Sequence, residues 1–259
     1  MSSRSVTIGV QLWSIRDSLK TPEDFAKSMA RVAAMGYAAV EPCLPAVVGP
    51  AEMKKILDAN GLKVCGSHGP AKRVLEDVDG LIADHKTLGC TLPGAGGIPK
   101  EMRTADGYRQ FAEGVERAGE KLRKAGMTFI YHNHSGEFRK FDGRNALEIM
   151  AGAAPSGALG FELDVCWVQA GGADPAAWIR KLGKRVPTIH CKDLGIGADG
   201  QQHSMPVGRG NLNWPAVLAA AMEVGVDWYV VEVEDEHVDG DPFKSLEVSI
   251  ENLREWGVE

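Results

Sequence analysis

Residues 111–138 read FAEGVERAGEKLRKAGMTFIYHNHSGEF, and the order of events in this stretch decides the fold. Apolar residues first recur among charged ones at the spacing of one helix face. Gly126 then closes the helix, as glycine does when a last turn ends in a left-handed residue. A run rich in β-branched and aromatic residues follows and ends in His132, Asn133 and His134. Helix, glycine, strand, polar end is one unit, and the unit recurs.

Strand-like runs are VTIGVQL (6–12), YAAVEPC (37–43), KVCGSHG (63–69), CTLPGAG (90–96), MTFIYHNH (127–134), ALGFELDVC (158–166), PTIHCKDL (187–194) and DWYVVEVE (227–234), eight in all. Helix-like stretches separate them. Thr21-Pro22-Glu23-Asp24 opens one with an N-cap, a proline at the first position and acids in the first turn, and it stops at Gly36. KKILDANG stops at Gly61, WPAVLAAAMEVG at Gly225, and SLEVSIENLREWG closes the sequence. Strict β/α alternation predicts parallel strands with helical crossovers. Eight units in 259 residues predict a (β/α)8 TIM barrel, one α/β domain over residues 1–259. The competing open sheet is disfavoured because no GxGxxG turn follows the first strand.

Apolar residues make up 44% and charged residues 25%, with a net charge of −6. The acidic balance and the lack of a basic stripe argue against nucleic acid or an anionic membrane as partner. Five cysteines without a CxxC pair read as reduced thiols and a cytoplasmic protein. The opening MSSRSVTIGVQLWS is basic, then apolar, but the apolar run is too short for a signal peptide and holds Gln11. No apolar run is long enough to span a membrane. A homo-oligomer is compatible with all of this.

In a barrel of this kind the site lies at the C-terminal strand ends. Those ends carry Gln11, Trp13 and Arg16; Glu41; Ser67 and His68; His132, Asn133, His134 and Glu137; Glu162 and Asp164; His190, Lys192 and Asp193; Glu232 and Glu234. Only the fourth strand is bland. These groups either satisfy one another or hold a ligand. The second reading is favoured, because so many buried acids and imidazoles are costly unless paired or metal-bound. One residue per strand can converge on a divalent ion: His132, Asp164, His190 and Glu232. Mixed nitrogen and oxygen donors suit Mn²⁺, Zn²⁺, Co²⁺ or Fe²⁺ better than Mg²⁺ or Ca²⁺.

The segments GVQLWSIRDSL, MGYAAVE, GSHG, KAGMTFIYHNHSGEF, LDVCWVQAGGADP, IHCKD, PVGRGNLNW and YVVEVED, in this order, resemble the xylose isomerase-like sugar (phosphate) isomerase/epimerase superfamily of TIM barrels. The resemblance implies a Glu/Asp/His/Glu metal set, one ligand from each of strands five to eight. Asp164, His190 and Glu232 match the last three, and His132 takes the place of the first glutamate, in the form of the branch with a Tyr-His-Asn-His…Glu-Phe motif. That exchange removes a negative charge and a base, which puts the two-glutamate epimerase mechanism in doubt. An alternative leaves His132 facing the helices, with His134 or Glu137 as ligand; another has Glu234 ligating while Glu232 pairs with Lys192.

Glu137, His134, Glu232 and Lys192 are the candidates for acid–base work, and His68, Arg209, Glu41 and Trp13 for substrate contact. Lys192 either touches a substrate oxygen or forms a surface salt bridge with Asp193. Asn133 or Glu162 is expected to hold the second nitrogen of a ligating imidazole. His85, His203 and His237 fall on helix or loop positions and are expected to be solvated. GAGG (94–97) lacks the Lys-Ser/Thr of a phosphate loop.

The chemistry expected is proton transfer next to a carbonyl with metal assistance, giving isomerisation or epimerisation of a sugar or sugar derivative. The alternative is a lyase or dehydratase that expels a β-substituent from a keto-inositol or 3-keto-glycoside. A DNA-repair nuclease and a non-catalytic sugar-binding barrel are weaker readings.

Overall fold

A computed structural model describes residues 6–258; Met1 to Ser5, with the basic Arg4, and Glu259 lie outside the described residues. The strands are β1 Thr7–Gln11, β2 Ala39–Glu41, β3 Lys63–Val64, β4 Ser67–His68, β5 Pro93–Ala95, β6 Phe129–His132, β7 Leu159–Asp164, β8 Thr188–Cys191, β9 Asp193–Ile196, β10 Gln202–Met205 and β11 Trp228–Val231. Nine of them form one parallel sheet in the order β3-β2-β1-β11-β8-β7-β6-β5-β4. Its two ends, β3 and β4, are consecutive in the chain, so the sheet curls into a nearly closed barrel. The third strand-like run is therefore one barrel strand, interrupted at Cys65-Gly66. A Cβ on Gly66 would sit 2.5 Å from Glu41 Oε1, so the chain passes close to a buried carboxylate there and only glycine fits.

The helices are α1 Pro22–Ala34, α2 Pro50–Ala59, α3 Arg73–Glu76, α4 Val78–Leu88, α5 Ala105–Lys124, α6 Ala146–Ala153, α7 Val165–Ala170, α8 Pro175–Leu182, α9 Trp214–Val224 and α10 Pro242–Glu255. The predicted signals act as expected. Thr21 Oγ1 accepts from Asp24 N at 3.1 Å to start α1, and the chain leaves α5 through Gly126 at φ +72°. The opening stretch pairs a helix with the strand it feeds. The buried face of α5, with Tyr108, Phe111, Val115 and Leu122, lies over the barrel wall, where Phe111 meets Phe129 and Tyr131 edge-on.

The antiparallel hairpin β9–β10 was not expected. Its strands are short and polar, and no hydrophobic alternation marks them. Among the described residues no helix is long and apolar enough to cross a membrane, and all five cysteines are free.

Candidate functional site

Strand register sets the site. His132 lies beside Glu162, Asp164 beside His190, Gln11 beside Glu41, and Cys43 beside His68. Alternate residues of a strand face the same side, so each pair turns inward together. His132, Glu162, Asp164, His190, Lys192, Glu41 and Glu232 are all buried at this end of the barrel.

Two overlapping groups of donor atoms result: His132, Asp164, His190 and Glu232, and His68, His132, Glu162 and His190. Within each, the donor atoms lie within 4.8 Å of one another. His190 connects them. Its Nδ1 is 3.0 Å from Glu232 and 3.7 Å from Asp164 Oδ2, and its Nε2 is 2.7 Å from Glu41 and 3.1 Å from Glu162. His132 does the same more loosely, with Nε2 3.9 Å from Asp164 and Nδ1 3.4 Å from Glu162. Glu162 also pairs with His68, so this one carboxylate stands beside three imidazoles.

Asp164 is held by local structure. It caps α7, with Oδ1 accepting from Trp167 N at 2.9 Å, while Asn133 receives its backbone N–H at 3.1 Å. Its Oδ2 has no hydrogen bond, nor has His132 Nδ1. Lys192 Nζ lies 3.1 Å from Asp164 Oδ2 and 2.6 Å from Glu232, and also pairs with Glu234. Lys192 thus bonds inward to these three carboxylates and leaves Asp193 to other partners.

The charges follow. Burial raises the Asp164 carboxyl to about 6 against the pull of Lys192 and His190. Burial, then the neighbouring Glu162, raises Glu41 to about 7. Burial would also raise Glu232, but Lys192 and His190 hold it well below the ordinary range. Burial, then the nearby His190, keeps His132 well below the ordinary histidine value and therefore neutral. His190 is driven the other way: burial opposes its charge, but Glu162, Glu232 and Glu41 raise it well above that value.

Two expectations are corrected. Glu137 does not join the cluster. Its Oε1 accepts from the Tyr131 hydroxyl at 2.8 Å and the Tyr108 hydroxyl at 3.3 Å, and its Oε2 accepts from His134 N at 2.9 Å. The chain leaves β6 through a 3-10 turn, Ser135–Phe138, which carries Glu137 to the helix side of the strand. His85 is not solvated either. It is 1% exposed, with Nδ1 on Leu81 O at 2.7 Å and Nε2 on Ser67 Oγ at 2.8 Å. Of the remaining candidates, His134 stays near the cluster, its ring 4.9 Å from that of His132. Arg209 and Trp13 are exposed, and His203 and His237 are half-buried.

Three residues carry more than the sequence showed. Asp193 accepts from Gly208 N, Gly210 N, Leu212 N and Trp214 Nε1, anchoring the loop that bears Arg209. Gln11 donates to Glu41 at 2.7 Å and accepts from Trp13 N at 3.0 Å. Trp167 stands 5.1 Å under the Lys192 ammonium and 5.7 Å from His134. Their only sequence signal is position, just at or beyond a strand end.

Among known proteins, an inosose dehydratase of Lacticaseibacillus casei is 24% identical over 157 residues, 54% of this chain and 52% of that protein. The match thus spans about half the length of that relative. The rhizopine catabolism protein MocC of Rhizobium meliloti is 25% identical over 240 residues, 78% of this chain and 72% of that protein. In fold, a sugar phosphate isomerase/epimerase of Parabacteroides distasonis superposes with a TM-score of 0.83 at 24% identity, covering 100% of this chain and 97% of its own. The family model described as xylose isomerase-like TIM barrel matches residues 29–256, and with the nearly closed barrel in hand the chain belongs to that family.

Proposed function

We propose that the chain is a divalent-metal-dependent isomerase or epimerase that moves a proton next to the carbonyl of a neutral sugar or sugar derivative, with His132, Asp164, His190 and Glu232 holding the ion. The observation that carries this reading is the buried set of two imidazoles and two carboxylates whose donor atoms lie within 4.8 Å of one another, with Asp164 Oδ2 met by no hydrogen bond and facing the Lys192 ammonium. Buried carboxylates and imidazoles gathered this closely are costly unless paired or metal-bound, and the donor mixture suits Mn²⁺, Zn²⁺, Co²⁺ or Fe²⁺ better than Mg²⁺. When bound, such an ion supplies Lewis-acid polarisation of a carbonyl and stabilises the charge that develops beside it.

The chain's own residues do the rest. His134 serves as base, because burial keeps its imidazole neutral. Lys192 is held charged by Asp164, Glu232 and Glu234 against the cost of burial; it orients a substrate oxygen and can return a proton to it. Glu41 and Glu162 fix the His190 ring from behind rather than meeting the substrate. His68, Arg209 and Trp13 are left for substrate contact. Three carboxylates, Asp164, Glu232 and Glu234, surround the one ammonium of Lys192, and Glu41 and Glu162 add two more beside His190, a field that disfavours an anionic substrate.

β-Elimination is the second reading. It needs one base and one acid, as His134 and Lys192 provide, and the engagement of Glu137 with two tyrosines leaves no second carboxylate base on β6. The likeness to an inosose dehydratase supports it. Metal analysis of the purified protein, followed by a carbohydrate screen in D₂O read by mass, tests both. An isomer keeps its formula and takes up deuterium; elimination loses water or an aglycone. Protein that carries no divalent ion and exchanges no substrate proton refutes the proposal.

A further inference from the structure

Beside the polar cluster lies a groove of about 180 Å³. Trp13, Leu19, Phe25, Pro42, Cys43 and Val47 line it. Trp13 and Val47 are 46% and 45% exposed at its rim, and large apolar side chains exposed together at a concavity mark a binding surface. The charged lining group is Arg16, and it is already engaged: its guanidinium lies 4.9 Å over the Trp13 ring and donates to Trp13 O at 2.9 Å.

Gln11 contacts residues of both the groove and the cluster. Gln11 donates to Glu41 at 2.7 Å on the cluster side. On the groove side its Oε1 accepts from Trp13 N at 3.0 Å and from the Cys43 thiol at 3.5 Å. The buried Gln11 side chain thus stands between the two, and a ligand held at the cluster has the apolar trough within the reach of one attached group, on the far side of Gln11. We propose that this groove is the subsite for an apolar or aromatic substituent on the substrate, so that the chain acts on a substituted sugar, a glycoside, rather than on a free one. The proposal rests on the sugar-directed reading of the cluster. The trough is large enough for one aromatic ring, and its lining offers such a ring contact without asking it to carry charge.

The test uses the metal-loaded full chain and paired methyl and phenyl pyranosides of the gluco, galacto, manno and xylo series. These lack the reacting carbonyl and report binding alone, read by calorimetry. For the series that binds, the phenyl glycoside should bind at least about tenfold more tightly than the methyl one, as burial of a ring in an apolar site implies. Val47→Asp, which changes a rim residue and no core contact, should bring that ratio close to one, and Trp13→Ala should reduce it. Equal affinity for methyl and phenyl glycosides in the parent protein, or a ratio that survives Val47→Asp, overturns the subsite. If neither glycoside binds in any series, the subsite is overturned too. Metal content of the same samples then shows whether the reading of the cluster fails with it or stands alone.

Discussion

The Glu137 carboxylate and the Tyr131 hydroxyl lie 2.8 Å apart, on the side of β6 opposite His132. With Tyr108 and the His134 N–H also on this carboxylate, Glu137 ties the strand end to α5. Glu137→Gln removes the charge and replaces an acceptor with a donor facing two hydroxyls. It should cost about 1–3 kcal/mol of stability while sparing bound metal. Urea denaturation with parallel metal analysis decides: a variant of full stability that has lost its ion would put Glu137 among the ligands.

Asp164 offers a cleaner separation of fold from ligation. Asparagine caps helices as well as aspartate does, so Asp164→Asn should keep the α7 cap on Trp167 N and lose only the anionic donor Oδ2. Metal content should drop from about one ion per chain to a small fraction of that, with little change in the circular dichroism spectrum. His132→Glu should retain the ion. It also adds a carboxylate near Asp164 and Glu162, so its metal-free form should melt lower and gain more on metal addition than the parent. Retention of full occupancy by Asp164→Asn, or its loss in His132→Glu, contradicts the ligand set.

Asp193 should matter out of proportion to its distance from the chemistry. Asp193→Ala leaves three backbone N–H groups of the 208–212 loop and the Trp214 indole without their acceptor, a loss of about 3 kcal/mol or more. The loop should loosen with it. Limited trypsin digestion should cut after Arg209 in the variant well before the parent, and equal resistance of the two would show that the loop has another anchor.

His85 gives the fold a sensitivity to acid. Burial lowers its pKa below the ordinary 6.5, so the unfolded chain takes up a proton before the folded one does. Its contribution is complete above that value and is lost as pH falls through the lower, folded pKa. The stability gap between the parent and His85→Gln should be smaller at about pH 5.5 than at about pH 7.5. A gap that widens on acidification would mean that His85 is charged in the folded chain.

The barrel was legible because two signals agree along the whole chain: alternating apolar periods and glycine stops such as Gly36 and Gly126. The inner residues were legible for a related reason. Within a strand, parity fixes the facing, so Glu162 and Asp164 could be put on one face and one residue per strand turned toward a common point; the register that sets His132 beside Glu162 and Asp164 beside His190 is a property of the folded sheet. Parity fails one residue past a strand. Glu137 follows a tight turn, and nothing in SGEF shows which way that turn rotates it. His85 sits on α4 and meets Ser67 on β4, the strand just before it, so its burial is a property of how helix packs on strand. Asp193 looked exposed because the β9–β10 hairpin and the loop that surround it carry no periodic signal.

One detail of Asp164 limits what can bind beside it. With Oδ1 accepting from Trp167 N to start a helix, the oxygen this residue turns toward the other donors of the cluster is Oδ2. If the proposed ion is bound, Asp164 would hold it through one oxygen and leave more of its surroundings to substrate oxygens. A backbone capping bond would in that way set how much of the centre this carboxylate takes and how much room is kept for substrate.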